Sequence, residues 1–251
     1  MKRFALLAMA LVASMMPAGA QAATTVARTF NTTGSASGST LTFSAAEDSS
    51  LKMIVSAWQS DQATNRISAA NLVDYAGGLG VVGQGDAGGA GNFHQIDNAG
   101  GFTDFLLLQF NRAVTLGSAN LNLYQMAGVT GTDSDLSWFN AGSVILPAQW
   151  NASVDLASPA YLNVPGLWKG VEGGSASGWR SLNVPSTTAS QLWLIGASQT
   201  DLARNDGFKL AGLQVATAVP EPASWAMLIV GFGAVGGALR RRRVGFVAVP
   251  A

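Results

Sequence analysis

The chain has 251 residues, of which 11% are charged and 30 are glycine, and its formal net charge is zero. The charges are unevenly distributed along the chain. Residues 23–219 hold eight Lys/Arg and 13 Asp/Glu, a net charge of −5, whereas the other basic residues lie at the two ends. An acidic body without a basic stripe argues against nucleic acid as a partner, and the absence of Cys excludes disulfides and thiolate metal sites.

The N-terminus has the composition of a cleaved secretory leader. A basic pair at 2–3 precedes an apolar run at 4–16, and Pro17 ends any helix there. The Ala-Gln-Ala triplet at 20–22 matches a signal-peptidase site, so we predict a signal peptide at 1–22. The alternative is an uncleaved N-terminal anchor. A cleaved leader implies the Sec machinery and signal peptidase as partners.

Residues 23–218 have the periodicity of strands. Short runs of alternating or compact apolar residues are separated by polar, glycine-rich connections. We predict one short helix around Ile67, Leu72 and Val73. Many short strands joined by loops predict an all-β fold, an antiparallel β-sandwich or jelly-roll-like body. The predicted strands read STLTFSA, LKMIVSAWQ, DFLLLQF, ANLNLYQM, DLSWF, SVILPA, QLWLIGAS and FKLAGLQV.

Two features of enzymes are matched only superficially. GLGVVG at 78–83 has the glycine spacing of a dinucleotide-binding turn, but no helix pattern follows, so we interpret residues 77–92 as a surface loop. His94 is the only histidine, which excludes a zinc site built from several histidines. We interpret His94 as a hydrogen-bonded loop residue and predict a body without enzymatic activity. The alternative is a hydrolase that depends on His94.

Acidic and amide side chains cluster in segments that we expect at strand edges or in loops. Ca²⁺ takes several oxygen ligands from carboxylates, amides and carbonyls, so one interpretation is a structural calcium site. The alternatives are turn capping by Asp and Ser and a glycosidase carboxylate pair, although the spacing selects no pair. The candidate metal ligands are Asp97, Asn98, Asp104, Asp133, Asp135 and Asp206.

Seven tryptophans raise the hypothesis of a sugar-binding surface, because aromatic rings offer a broad apolar face with a polar edge. Trp58, Trp138 and Trp193 lie within strand patterns and are expected in the core. The remaining three in the body flank loops. The candidates for ligand binding are therefore Trp150, Trp168 and Trp179, with burial in the core as the alternative.

The C-terminus combines an extended segment, an apolar run and a basic block. Residues 223–239 carry no charge, and as a helix they would span about 25 Å, close to a hydrocarbon core of about 30 Å. Four arginines follow at 240–243, and a basic block is costly to translocate, so this end is expected to stay cytoplasmic. We predict a transmembrane helix at 223–239, whose four glycines make it a marginal permanent anchor.

The order of these parts resembles the PEP-CTERM sorting signal in its Trp-Ala variant. Val-Pro-Glu-Pro at 219–222 and Ser-Trp-Ala-Met at 224–227 precede the apolar run. The resemblance implies export across the inner membrane of a Gram-negative bacterium, then removal of the tail by an exosortase, a transpeptidase-like membrane enzyme. The signal spans 219–243, and the short tail at 244–251 extends beyond the usual end. The residues to which the resemblance gives sorting roles are Pro220, Glu221, Pro222, Trp225, Arg240, Arg241, Arg242 and Arg243.

The body has a resemblance of its own. GGLGV at 77–81, HQIDN at 94–98, DFLLLQF at 104–110, DSDLS at 133–137 and DGFKL at 206–210 occur in an order similar to exosortase-dependent surface proteins of Gram-negative bacteria. That family implies an exported, β-rich surface protein and transfers no activity. We therefore expect a non-enzymatic protein of the cell surface or extracellular matrix. The alternative is a carbohydrate-binding module of the exopolysaccharide matrix.

Overall fold

The computed structural model describes residues 25–84, 86, 94–143, 156, 167–200, 203–218, 229–237 and 240. Thr25–Ala218 form one compact unit, which contains all the described strands. Residues 229–237 form a helix, α1. In the part of the chain that the structure describes, no helix has the length and hydropathy to cross a bilayer. The predicted signal peptide at 1–22, the tail at 244–251 and most of SVILPA lie outside the described residues.

Every pairing between strands is antiparallel. A single turn of 3-10 helix, Ala141–Ser143, follows the ninth strand. The strands are β1 Thr25–Asn31, β2 Ser37–Gly38, β3 Thr40–Ser44, β4 Lys52–Asp61, β5 Ile67–Tyr75, β6 Gly78–Val82, β7 Ile96–Asp97, β8 Phe102–Asn122, β9 Leu136–Phe139, β10 Lys169–Val171, β11 Gly178–Ser181, β12 Ser190–Ala197 and β13 Gly207–Ala218.

The strands lie in two sheets that share β5 and β8. In the first sheet, β13 is the central strand. One edge of β13 pairs with β1, β6 and β7, and its other edge pairs with β8. The far edge of β8 pairs with β11. In the second sheet β4 and β12 flank β8, with β3 outside β4 and with β9 and β10 outside β12. Residues 102–110 of β8 pair with β4, whereas residues 115–122 pair with β13. One continuous strand therefore belongs to both sheets.

The centre of the second sheet, where β8 lies between β4 and β12, is buried on both faces, which explains the unbroken apolar run DFLLLQF. Leu106 and Leu108 belong to the main core, to which both sheets contribute. Phe105 and Leu107 belong to a smaller cluster that also contains Trp58. A strand covered on both sides has no polar face and so loses its alternation. DFLLLQF and the first four residues of ANLNLYQM, which we predicted as two strands, belong to the single strand β8.

The predicted short helix is wrong, because Ile67–Tyr75 form β5. Leu72 is fully buried, and the side chains on either side of it are more exposed, so burial follows the period of a strand. Spacing of apolar residues over so short a segment does not distinguish a helix from a half-buried strand.

The interpretation of residues 77–92 as a surface loop is also wrong in part, because Gly78–Val82 form β6 and are largely buried. Gly78 has φ +118°, and a Cβ atom there would lie 2.5 Å from the carbonyl carbon of Leu210. A Cβ on Gly80 would lie 2.2 Å from the carbonyl oxygen of His94. The glycine spacing thus permits close approach of neighbouring strands. Residues 85 and 87–93 lie outside the described residues.

Candidate functional site

Three carboxylates converge beside the start of β13. One oxygen from each of Asp133, Asp135 and Asp206 lies within 4.8 Å of the other two, and no other such acidic or histidine group occurs among the described residues. Asp133 and Asp206 form an isolated parallel β-bridge. The backbone N–H of Asp133 donates to the carbonyl of Asn205 at 3.1 Å, and Gly207 donates to the carbonyl of Asp133 at 2.9 Å. Backbone pairing therefore brings together residues that are 73 positions apart in the sequence.

Asn98 holds Asp206 in place. Its side-chain Nδ2 donates to Oδ2 of Asp206 at 2.5 Å, and its Oδ1 accepts the backbone N–H of Asp206 at 3.0 Å. The backbone N–H of Asn98 also donates to the carbonyl of Asp206 at 3.1 Å. Both ends of the Asn98 amide are engaged with one residue. In this arrangement Asn98 orients the carboxylate of Asp206 rather than offering its own oxygen.

Asp135 links the three carboxylates to a polar cavity. Its Oδ1 accepts the backbone N–H of Gly173 at 2.6 Å, and its own N–H donates to Asp133 Oδ1 at 3.4 Å. The cavity has a volume of about 290 Å³. Carboxylates and hydroxyls are the oxygen donors that a hard cation such as Ca²⁺ prefers, so the donor set fits the predicted calcium site. The lining residues are Asp135, Gly170, Val171, Glu172, Ser198 and Thr200.

Asp97 and Asp104 lie apart from that group and form a buried pair. Asp97 is 3% exposed, and Asp104, which lies within β8 rather than in a loop, is 4% exposed. Burial raises the pKa of Asp97 to about 7 and raises the pKa of Asp104 well above its usual range. The Asp97 backbone N–H donates to the Asp104 carboxyl group, and this hydrogen bond partly offsets the rise in the pKa of Asp104. Carboxyl groups that retain a proton near neutral pH are poor cation ligands.

His94 lies beside β6 and packs against Tyr75. The two rings have centroids 4.9 Å apart and planes inclined by 47°. The carbonyl of His94 occupies the space that Gly80 leaves open. His94 thus contributes to packing over β6, as expected for a loop residue with structural contacts.

The tryptophans divide by exposure. Trp58, Trp138 and Trp193 are buried, which confirms their predicted place in the core. Trp168 packs against Phe105 and Phe139, with ring centroids 6.0 and 6.1 Å away.

Of the other two tryptophan candidates, Trp179 is 45% exposed on β11. Trp150 lies outside the described residues. Of the two candidates that the structure describes, Trp179 has the more accessible ring, as stacking requires.

Lys209 is a buried cation that the sequence analysis did not single out. It is 6% exposed, and its Nζ lies 3.5 Å from the ring centroid of Tyr75 and 5.1 Å from that of Tyr124. Burial lowers the pKa of Lys209, whereas the negative faces of the two rings favour the charged ammonium. The signal in the sequence is a lone lysine within the apolar run FKLAGLQV.

The C-terminal segment is described in part. Helix α1 covers the centre of the predicted membrane helix, and its large apolar side chains are 59–72% exposed. Arg240 is described, whereas Pro220, Glu221, Pro222, Trp225 and Arg241–Arg243 lie outside the described residues. The exposed apolar side chains are Ile229, Val230, Phe232 and Val235.

Comparisons with known proteins identify this segment and leave the body without a match. No curated protein and no solved structure matches the chain. Residues 218–243 match the family model of the PEP-CTERM protein-sorting motif, and the predicted sorting signal at 219–243 is thereby confirmed. The motif implies a secreted protein that is targeted to an exosortase and is transiently anchored in the membrane. The chain therefore carries a PEP-CTERM protein-sorting motif at its C-terminal end.

Proposed function

We propose that this is a non-enzymatic protein of the cell surface or extracellular matrix, exported by a Gram-negative bacterium and processed by an exosortase. The observation that carries the proposal is the sorting motif at 218–243. The leader at 1–22 would direct the chain through the Sec machinery and be removed by signal peptidase. The C-terminal segment would then hold the body at the outer side of the inner membrane until the tail is cut.

The chemistry of the motif supports this order of events. Two prolines in three residues, at 220 and 222, disfavour a helix, so we expect the peptide around Glu221 to be accessible to a processing enzyme. The exposed apolar side chains of α1 are suited to lipid. The arginines from Arg240 onward would retain the end of the chain on the cytoplasmic side.

We also propose that the body at 23–218 is a β-sandwich. Two sheets enclose one main apolar core, and side chains from both sheets contribute to it. The passage of β5 and β8 between the sheets distinguishes it from a sandwich of two separate sheets.

Co-expression with an exosortase tests the sorting proposal. We expect the intact mass of the full-length chain to fall by the mass of a C-terminal piece that begins at or near the Pro-Glu-Pro tripeptide. Glu221→Gln should reduce this processing. Glu47→Gln is the matched control, because Glu47 is an exposed glutamate in the body that accepts the backbone N–H of Thr29, a bond that Gln retains. An unchanged mass with an active exosortase would contradict the proposal.

A second candidate function is carbohydrate binding by the body, in the exopolysaccharide matrix. The observation that favours it is the 45% exposure of Trp179 on a strand of the first sheet. An exposed indole offers a broad apolar face with a polar edge, on which a sugar ring can stack. Retention of the protein in polysaccharide-containing gels would support this candidate.

A further inference from the structure

The indole of Trp179 lies along the outer surface of the first sheet. Trp179 stands opposite Asn120 of β8, which in turn stands opposite Gly212 of β13. A Cβ atom on Gly212 would lie 3.3 Å from Cη2 of the indole. The ring therefore extends from β11 across β8 and reaches β13, and it is 45% exposed to solvent.

The surface beneath and beside the ring is continuous across four strands. Asn31 of β1 stands opposite Gly212, so Trp179, Asn120, Gly212 and Asn31 form one transverse row. Neighbouring strands lie about 4.8 Å apart, which makes the row about 14 Å long. Two residues along the strands, Ser118 and Gln214 form part of a parallel row. We name the six residues Trp179, Asn120, Gly212, Asn31, Ser118 and Gln214 the Trp179 face.

These side chains point away from the core. Ala119, Leu121 and Leu213 alternate with them along β8 and β13, and all three are fully buried in the main core. Successive side chains of a strand point to opposite faces. The Trp179 face is therefore the solvent side of the sheet.

The Trp179 face consists of amides, one hydroxyl, one glycine and one indole, and it carries no charge. Ser118 Oγ donates to Gln214 Oε1 at 2.8 Å, so the Gln214 amide is held in place while its nitrogen remains available as a donor. Arg180, the charged residue of β11, directs its guanidinium to the carbonyls of Gly173 and Ala176. A ligand that matches this chemistry is neutral, rich in hydroxyls and has an apolar face.

We propose that the Trp179 face binds a neutral polysaccharide, with one sugar ring stacked on the indole and the chain extending across β8 and β13 towards β1. The proposal rests on the carbohydrate-binding candidate above and gives it a site and a ligand class. An anionic polymer would require basic side chains. A protein partner would require a larger apolar patch, and Trp179 and Tyr124 are the exposed large apolar side chains among the described residues of 25–218.

Affinity electrophoresis of the full-length chain tests the proposal in gels that contain a neutral glucan, a neutral mannan, anionic alginate or no polymer. We expect retention by a neutral polymer, and we expect Trp179→Ala to raise the apparent Kd at least about tenfold. Gly212→Val should do the same with the tryptophan still present, because a branched side chain would lift the indole from the sheet. Gly38→Val is the control, since it also adds a branched side chain at a strand glycine, and the atom nearest to the new Cβ would be the carbonyl oxygen of Thr40 at 3.5 Å.

The melting temperature of each variant separates loss of binding from loss of folding, and Trp179 belongs to neither of the two apolar core clusters. Retention that persists in both variants would overturn the Trp179 face as the site and leave the carbohydrate-binding candidate standing. Retention by alginate alone, or binding to lipid vesicles without any retention by neutral polymers, would overturn the neutral-polysaccharide assignment. Absence of retention in every gel would overturn both, while exosortase processing is measured independently by intact mass.

Discussion

Asp97→Asn is expected to stabilise the protein above neutral pH and to leave its stability unchanged in acid. Burial raises the pKa of Asp97 from 3.8 to about 7 in the folded protein. The folded state therefore holds the carboxyl proton where the unfolded chain has released it. Between pH about 4 and 7 folding takes up a proton, so the free energy of unfolding falls as the pH rises through this window.

The size of the effect follows from the two pKa values. At about 1.36 kcal/mol for each pH unit, a rise of about three pH units corresponds to about 4 kcal/mol at pH 8. For a domain of this size, about 2–4 °C of melting temperature accompanies each kcal/mol, which places the expected gain near 10 °C. Asn carries no charge at any pH and retains an oxygen for the Ala99 N–H, which Asp97 Oδ1 accepts at 3.0 Å. The charge of Asp97 also raises the pKa of Asp104, so the substitution relieves part of that cost.

Circular dichroism melts at pH 4, 6 and 8 in a chelating buffer measure this dependence. The difference between the variant and the wild type should be near zero at pH 4 and should grow towards pH 8. Asp61→Asn is the control of opposite sign, because backbone N–H groups of Thr64 and Ala63 lower the pKa of this half-buried aspartate. A difference for Asp97→Asn that is constant with pH, or a loss of stability at pH 8, would refute the reasoning.

Three further predictions concern calcium and packing. Ca²⁺ at 100 times its Kd should raise the free energy of unfolding by about 2.7 kcal/mol, which corresponds to about 5–10 °C in melting temperature. Asp135→Asn should reduce this rise. A melting temperature that neither Ca²⁺ nor a chelator changes would contradict a calcium site. Gly196→Ala should lower the free energy of unfolding in urea by about 1–3 kcal/mol, because the new Cβ would lie 2.4 Å from the carbonyl oxygen of Asp104 and 2.5 Å from Cβ of Phe105. An unchanged urea midpoint would contradict this prediction and show that β8 and β12 can move apart. Thr32→Val should lower the free energy of unfolding by about 1–3 kcal/mol, because it leaves the buried Leu210 carbonyl without the hydroxyl that donates to it at 2.5 Å. Thr32→Ser keeps the hydroxyl and should lose less stability. Equal losses in the two variants would show that the methyl group of Thr32 matters instead.

The local sequence pattern was sufficient to predict the strands whose side chains alternate between apolar and polar or form compact apolar runs. LKMIVSAWQ became β4 and FKLAGLQV became β13, because β-branched and aromatic residues favour a pleated, half-buried surface. The sorting motif was also readable, since its parts follow one another within 26 residues and depend on no distant contact.

Pattern failed where the environment is set by distant strands. The glycines of β6 resembled a dinucleotide-binding turn, whereas their real constraints are backbone atoms elsewhere in the chain: Leu210 for Gly78 and His94 for Gly80. Nothing in the sequence distinguished one of the six candidate metal ligands from another. Strand pairing brought Asp133 to Asp206, turned Asn98 into a support, and buried Asp97 and Asp104 as a separate pair.

The pairing of β1 with β13 has a consequence for the timing of export. The first and last strands of the body match residue for residue, from Thr25 opposite Ala218 to Asn31 opposite Gly212. A chain that emerges from a translocation channel with its N-terminus first cannot complete this pairing until its last strand has emerged. The sorting motif begins at residue 218, where β13 ends. If the chain is exported in this direction, completion of the fold and arrival of the motif at the membrane would coincide, and an exosortase would receive a body that has only just become able to close.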